Sequence, residues 1–199
     1  MNNFLTPDAE VNEYVIAIVP HEDLQHRILY LRKMFNEEFS VSEYSSKPQI
    51  QLVRFSQRAS MESKIIRRLL LISMSAQPFK IEFSGFDNIP GHTIFLNVSA
   101  KNAFQEMVKK IRTEAQQFFK MDDEKPHFIL EPRINIASRL QPWQFEKGWL
   151  KYSNVDFKGS FIADNILLLK RKQGDRKYIP VHKFSLMDLK SVPQGNLFM

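Results

Sequence analysis

Hydrophobic and polar positions along this chain follow two periods, and the two trade places in a regular order. YVIAIVP (14–20) is a short apolar run rich in β-branched residues and closed by proline, the pattern of a buried strand. Across 22–39, Leu24, Ile28, Leu31, Met34 and Phe35 recur at helical spacing. QIQLVRF (49–55) alternates as a strand does. Ser60 then stands where a helix over 61–76 would be capped, with Ile65, Ile66, Leu69, Leu70 and Ile72 inward. FKIEFSGF (79–86) and HTIFLNV (92–98) are strands around an NIPG turn, and Ser99 is placed to cap a helix over 101–119. HFIL (127–130) opens a further strand, EPRINIASRLQP (131–142) reads as loop, and a short helix is expected near 141–151. FKGSFIAD and NILLLKRK are the next strands. A turn at Gln173-Gly174-Asp175 lets RKYIPVHKFSL pair back as a hairpin.

The order is strand, helix, strand, helix, strand, and then the same again. Each half places a long helix before a strand that starts with Lys-Pro: SKPQIQL at 46–52 and EKPHFIL at 124–130. The repeat predicts an α+β protein of two pseudo-symmetric lobes, each an antiparallel sheet backed by helices, with a central cleft. One bilobal domain is expected over 13–186, between polar tails at 1–12 and 187–199. Side chains alternate faces along a strand. Gln49 and Gln51 therefore share one face, and Ile50 and Leu52 the other; His127 and Ile129 share one face, and Phe128 and Leu130 the other. If the apolar pairs pack under the helices, Gln49, Gln51 and His127 look into the cleft from its two walls.

Composition narrows the picture without deciding it. The 199 residues include 17 Phe and no Cys, so a sizeable core is available while disulfides and thiolate metal sites are excluded. The N-terminus has neither a basic region nor an apolar run of leader type, and no stretch approaches the roughly 20 apolar residues of a membrane span. A cytoplasmic, membrane-free monomer is the expectation. The net charge of +6 allows attraction to phosphate.

The layout resembles the two-histidine (2H) phosphoesterases, which include 2′-5′ RNA ligase and cyclic phosphodiesterase proteins. The resemblance runs from YVIAIVP through the Lys-Pro strands to the hairpin with its LLL and the Tyr178…Phe184-Ser185-Leu186 ending, over roughly residues 13–186. The family signature is two copies of His-x-Thr/Ser followed by an apolar residue, one per lobe. Matched on the Lys-Pro strands, the first pair falls on Gln49 and Gln51 and the second on His127 and Ile129. The resemblance implies that one imidazole takes a proton from the attacking oxygen, the other protonates the leaving oxygen, and the hydroxyls hold the phosphate. Imidazole titrates near neutrality, whereas a Gln amide only donates and accepts hydrogen bonds. On this matching His127 is the candidate acid or base, and Gln49 and Gln51 are phosphate-binding candidates.

Other residues join at lower rank. Arg54 and Arg133 follow the two Lys-Pro strands and are phosphate candidates. His92 sits at a turn exit, with Thr93 pointing to the opposite face, and is a candidate substrate contact that would stand in for the missing histidine. The basic cluster Lys170-Arg171-Lys172 with Arg176-Lys177 flanks the hairpin turn; its plain reading is a solvated tip, and its functional reading a phosphate-steering edge for RNA beside the cleft. Phe55, Tyr44 and Trp143 are the aromatic candidates for base stacking. No histidine pair has metal-ligand spacing, so neither a metal nor a cofactor is expected. The partner expected is an RNA end or a small nucleotide phosphodiester. Two functions are left open: an enzyme acting on 2′,3′-cyclic or 2′-5′ phosphodiesters, or a non-catalytic binder or interaction scaffold.

Overall fold

The structure, a computed structural model, describes residues 10–41, 47–187 and 189. The expected tails at 1–12 and 187–199 therefore lie largely outside the described residues, as does Tyr44. The first strand begins at Val11, so residues 11 and 12 belong to the sheet and not to a tail.

The element order is β1 (Val11–Ile18), α1 (Glu22–Phe39), β2 (Ile50–Arg58), α2 (Glu62–Met74), β3 (Phe79–Ile89), β4 (Thr93–Val98), α3 (Asn102–Phe119), β5 (His127–Phe128), β6 (Arg133–Ser138), α4 (Pro142–Tyr152), β7 (Lys158–Ala163), β8 (Asn165–Lys172) and β9 (Ile179–Ser185). Both sheets are antiparallel. One has the order β5-β2-β1-β8-β9 and the other β6-β4-β3-β7. The α+β, two-lobed architecture is thus as expected.

Neither serine proposed as a helix cap has that role. Ser60 lies in a 3₁₀ turn, Ala59–Met61, that leads into α2. The Ser99 hydroxyl donates to the Glu82 carbonyl at 3.3 Å, tying α3's entry to β3 instead.

The helices cross between the lobes. α1 follows β1 in the five-stranded sheet but packs on the four-stranded one: Arg27 donates to the Lys158 carbonyl and Arg32 Nε to the Asn135 carbonyl at 3.0 Å. α3 follows β4 in the four-stranded sheet but packs on the other, where Gln57 of β2 donates to the Phe118 and Lys120 carbonyls. The exchange fuses both lobes into one core that includes Tyr14, Ile16, Phe35, Leu52, Ile94, Phe104 and Ile136. That continuity removes any need for a linker.

The duplication is real, but its second copy is not the one the Lys-Pro repeat suggests. β5, which carries EKPHFIL, pairs with β2 in the same sheet, His127 opposite Arg54 and Phe128 opposite Val53. The two Lys-Pro strands are therefore neighbours and do not face each other from separate lobes. The counterpart of β2 is β6, in the stretch expected to be loop. Each is the neighbour of its lobe's central strand, β1 or β4. Each begins after a buried proline, Pro48 or Pro132. Each also carries a β-bulge at the same step. Ala17 pairs with Gln51 and Ile16 with Val53, leaving Leu52 unpaired; Phe95 pairs with Asn135 and Ile94 with Ala137, leaving Ile136 unpaired. Gln49-Ile50-Gln51-Leu52 and Arg133-Ile134-Asn135-Ile136 thus superimpose position for position in register.

Candidate functional site

Between the sheets lies an open cleft of about 930 Å³. β2 and β6 approach within 8 Å there, Cα to Cα. Alternation along each strand fixes what each contributes. Ile50 and Leu52, like Ile134 and Ile136, are fully buried under the helices. Gln49 and Gln51, like Arg133 and Asn135, are turned to the cleft and line it. A bulge reverses the alternation beyond it. This is why Arg54, three residues after Gln51, also reaches the cleft, as does Ser138, its register counterpart on β6.

Cations dominate the lining. Lys47, Arg54, Arg133, Arg139 and Arg176 line the cleft, with no carboxylate of a described residue at ion-pair distance. Arg133 lies over the Phe95 ring, 5.3 Å from its centroid, so one face of the guanidinium is already engaged. Arg32 is buried at the floor and lines the cleft. Arg171 also lines it but is held by Glu13. Among the described lining residues the one carboxylate is Glu131, and Lys101 donates to it. A cleft with this balance raises the local concentration of anions and suits ligands carrying phosphate.

Backbone geometry points to the same place. Among the described residues three non-glycines have left-handed φ, and two of them line the cleft: Ser40 at 51°, the left-handed cap that ends α1, and Arg139 at 56°. A helix end accounts for Ser40; the Arg139 conformation, between β6 and α4, is of the kind that costs of order 1–3 kcal/mol and clusters at functional sites. Asn135 Oδ1 is buried with no hydrogen-bond partner among the described residues. An unpaired buried acceptor costs about 1–3 kcal/mol. Gln144, by contrast, is fully used: it donates to the Phe39 carbonyl at 2.8 Å and accepts from the Gln141 N–H at 2.9 Å, which caps α4.

The candidates from sequence divide clearly. Gln49, Gln51, Arg54, His127 and Arg133 are brought together in the cleft. His92 is not among its lining residues; it is exposed at the β3–β4 turn, its Nδ1 2.6 Å from Thr93 Oγ1. His127 is exposed on β5, the extra edge strand that only one sheet has. It is the one histidine among the cleft residues. Of the proposed stacking aromatics, Phe55 is core, against Tyr14 and Phe119, and Trp143 is exposed on α4 beside Lys147. Sequence reasoning missed Asn135, Arg139 and Tyr178. The signal for Asn135 was available: Pro-Gln-Ile-Gln-Leu and Pro-Arg-Ile-Asn-Ile share proline, polar-Ile-polar alternation and a closing aliphatic. Among the described residues no cluster of His, Asp and Glu could hold a metal ion, and no helix is long and apolar enough to cross a membrane.

Two antiparallel sheets with exchanged helices, duplicated strands and a cleft between them define a bilobal α+β class with a known representative fold. The model of the 2′-5′ RNA ligase superfamily matches residues 20–175, and the chain belongs to that superfamily. Solved structures agree on the fold. E. coli LigT complexed with 3′-AMP superimposes with a TM-score of 0.64 at 14% identity, covering 89% of this chain and 99% of that one. TT0787 of Thermus thermophilus gives 0.65 at 15% identity, covering 89% and 100%. E. coli LigT complexed with ATP gives 0.62 at 14% identity, covering 89% and 99%. No curated protein matches the sequence.

Proposed function

We propose that the cleft binds a phosphodiester of a nucleotide or an RNA end and holds it without two-histidine proton transfer. The observation that carries this is the pair of duplicated strands. Their four cleft-facing positions are Gln49, Gln51, Arg133 and Asn135, all able to donate hydrogen bonds to phosphate oxygens and none a proton carrier near pH 7. Lys47, Arg54, Arg139 and Arg176, which have no carboxylate partner among the described residues, add the electrostatic term. Arg133 is the strongest single contact, because a guanidinium meets phosphate with two parallel donors. E. coli LigT has been solved with 3′-AMP, with phosphate and with ATP, which is in keeping with a cleft of this fold that accepts such groups.

The test is calorimetric titration with a 2′,3′-cyclic nucleotide, a short RNA ending in cyclic phosphate and a 2′-5′-linked dinucleotide, run beside a turnover assay. Binding without turnover is expected. Arg133→Ala should weaken binding about 10- to 100-fold, since a hydrogen bond to a charged group contributes about 1.5–3 kcal/mol. His127→Ala should leave it nearly unchanged. Turnover by the natural chain that disappears in His127→Ala would overturn the reading in favour of catalysis by the edge-strand histidine.

A further inference from the structure

Among the described residues that line the cleft, Tyr178 is the one Phe, Tyr or Trp. It stands just before β9, on the hairpin that Gly174 turns with φ of 94°. Its ring is half-buried against a small apolar patch of Val15, Ala17 and Leu169 on the sheet face away from the main core. The Arg171 guanidinium lies over the ring, 4.7 Å from its centroid. One carboxylate fixes both. Glu13 Oε2 accepts from Arg171 Nε at 2.9 Å, from Arg171 Nη2 at 2.6 Å and from the Tyr178 hydroxyl at 3.1 Å.

The charge state of this pair separates it from the rest of the cleft. Arg171 is neutralised by Glu13, so its contribution is a flat, locked plane with little net charge. Arg54 and Arg176, which line the same cleft, have no carboxylate partner among the described residues and keep their charge for an anion. A rigid, neutral, planar platform suits an aromatic ring; unpaired cations nearby suit its attached phosphate. From this we infer that the Tyr178–Arg171 platform is the seat of a nucleobase. The inference rests on the phosphate-binding reading above and adds to it the base and the end of the cleft where the base lies.

Base stacking on an aromatic residue is worth about 1–3 kcal/mol and tolerates every base, because each has a π face. The full chain should therefore bind adenosine 5′-monophosphate about 5- to 150-fold more tightly than ribose 5-phosphate, with cytidine monophosphate close behind. Tyr178→Ala should erase that preference and leave ribose 5-phosphate binding within about twofold. Tyr178→Phe keeps the ring, loses only the hydroxyl and should retain the preference. Arg171→Lys keeps the charge and loses the plane, and should lose part of it. A natural chain that binds both ligands equally would overturn the seat while leaving the phosphate reading intact. Equal weakening of both ligands by Tyr178→Ala would overturn it too, since that is the signature of a residue that only shapes the cleft. Failure of the natural chain to bind either ligand or pyrophosphate would remove the phosphate reading and the seat together.

Discussion

Strands β2 and β6 use one backbone device with different side chains. Both follow a buried proline, both alternate buried aliphatic with cleft-facing polar groups, and both bulge after the second polar residue. β2 presents two neutral amides. β6 presents a guanidinium stacked on Phe95 and an amide whose oxygen is buried unpaired. The backbone of a two-strand cradle is thus complete in both lobes, while none of the four cleft-facing positions of β2 and β6 carries a group that exchanges protons near neutrality. The difference teaches that geometry and chemistry separate in this fold. Alternation along the two strands turns four positions into one cleft, and the identity of the side chains sets what they offer a ligand there.

The sharpest way to break the comparison is to put proton carriers back. A variant with Gln49→His, Gln51→Thr, Arg133→His and Asn135→Thr would present one imidazole and one hydroxyl from each strand. Each acid or base role contributes about 10²–10⁴ in rate. Measurable hydrolysis of a 2′,3′-cyclic nucleotide is the expected gain. The control carries Gln49→His and Gln51→Thr with Ile129→Thr, so that the second imidazole is the natural His127 on β5. It should gain nothing, because β5 extends the same sheet as β2 and is not its counterpart. Activity in the control and not in the first variant would show that the Lys-Pro repeat, and not the bulge register, marks the second half of the site.

The two repeats also explain how far the sequence can be read. Periodicity locates nearly every helix and strand, because the apolar faces of β1, α1, α2 and α3 are packed into one core and their spacing records it. The lobed α+β architecture follows from their order. β6 reads as loop because half of it must be polar: Arg133, Asn135 and Ser138 face the cleft, and Pro132 and Pro142 on either side look like loop punctuation. The Lys-Pro recurrence then points one strand too early. A local match of a few residues outweighs the weaker but longer match of proline, alternation and aliphatic. The bulge that proves the second match is a property of pairing, and no single-strand pattern reveals it. The role of Tyr178 is hidden for a related reason. Its platform depends on Glu13, Arg171 and Tyr178 coming together from separate stretches of the chain.

If the two bulges carry equal loads, cutting back the residue at each should cost the same. Leu52 and Ile136 are both fully buried in the shared core. Leu52→Ala and Ile136→Ala should each destabilise the fold by about 2–4 kcal/mol in denaturant titration, from lost burial and the cavity left behind. A cost confined to Leu52→Ala would mean that the β6 bulge is incidental, and the superposition of the two strands would lose its energetic support.

The smallest effect tests where the lobes differ most. In register, Tyr14 on β1 corresponds to His92 beside β4. Tyr14 is fully buried, and its hydroxyl donates to Glu62 at 3.1 Å, where Lys170 also donates at 2.7 Å. His92 is exposed. Burial, and then the Glu62 charge, push the Tyr14 hydroxyl well above its ordinary value of 10.0. With the folded value raised, the stability tied to this group is complete below the ordinary value and is lost as pH climbs from there towards the folded one. Between those limits the unfolded chain releases the phenolic proton while the folded chain keeps it. Tyr14→Phe should cost only about 0.5–1.5 kcal/mol at pH 7, where Glu62 still has Lys170, and should make the fall in stability above about pH 10 shallower. His92→Ala should change neither value nor slope. The check is a pair of urea titrations at pH 7 and above pH 10. Parallel alkaline slopes for Tyr14→Phe and the natural chain would mean that the buried phenol does not set the alkaline limit, and that the lobes resist base equally.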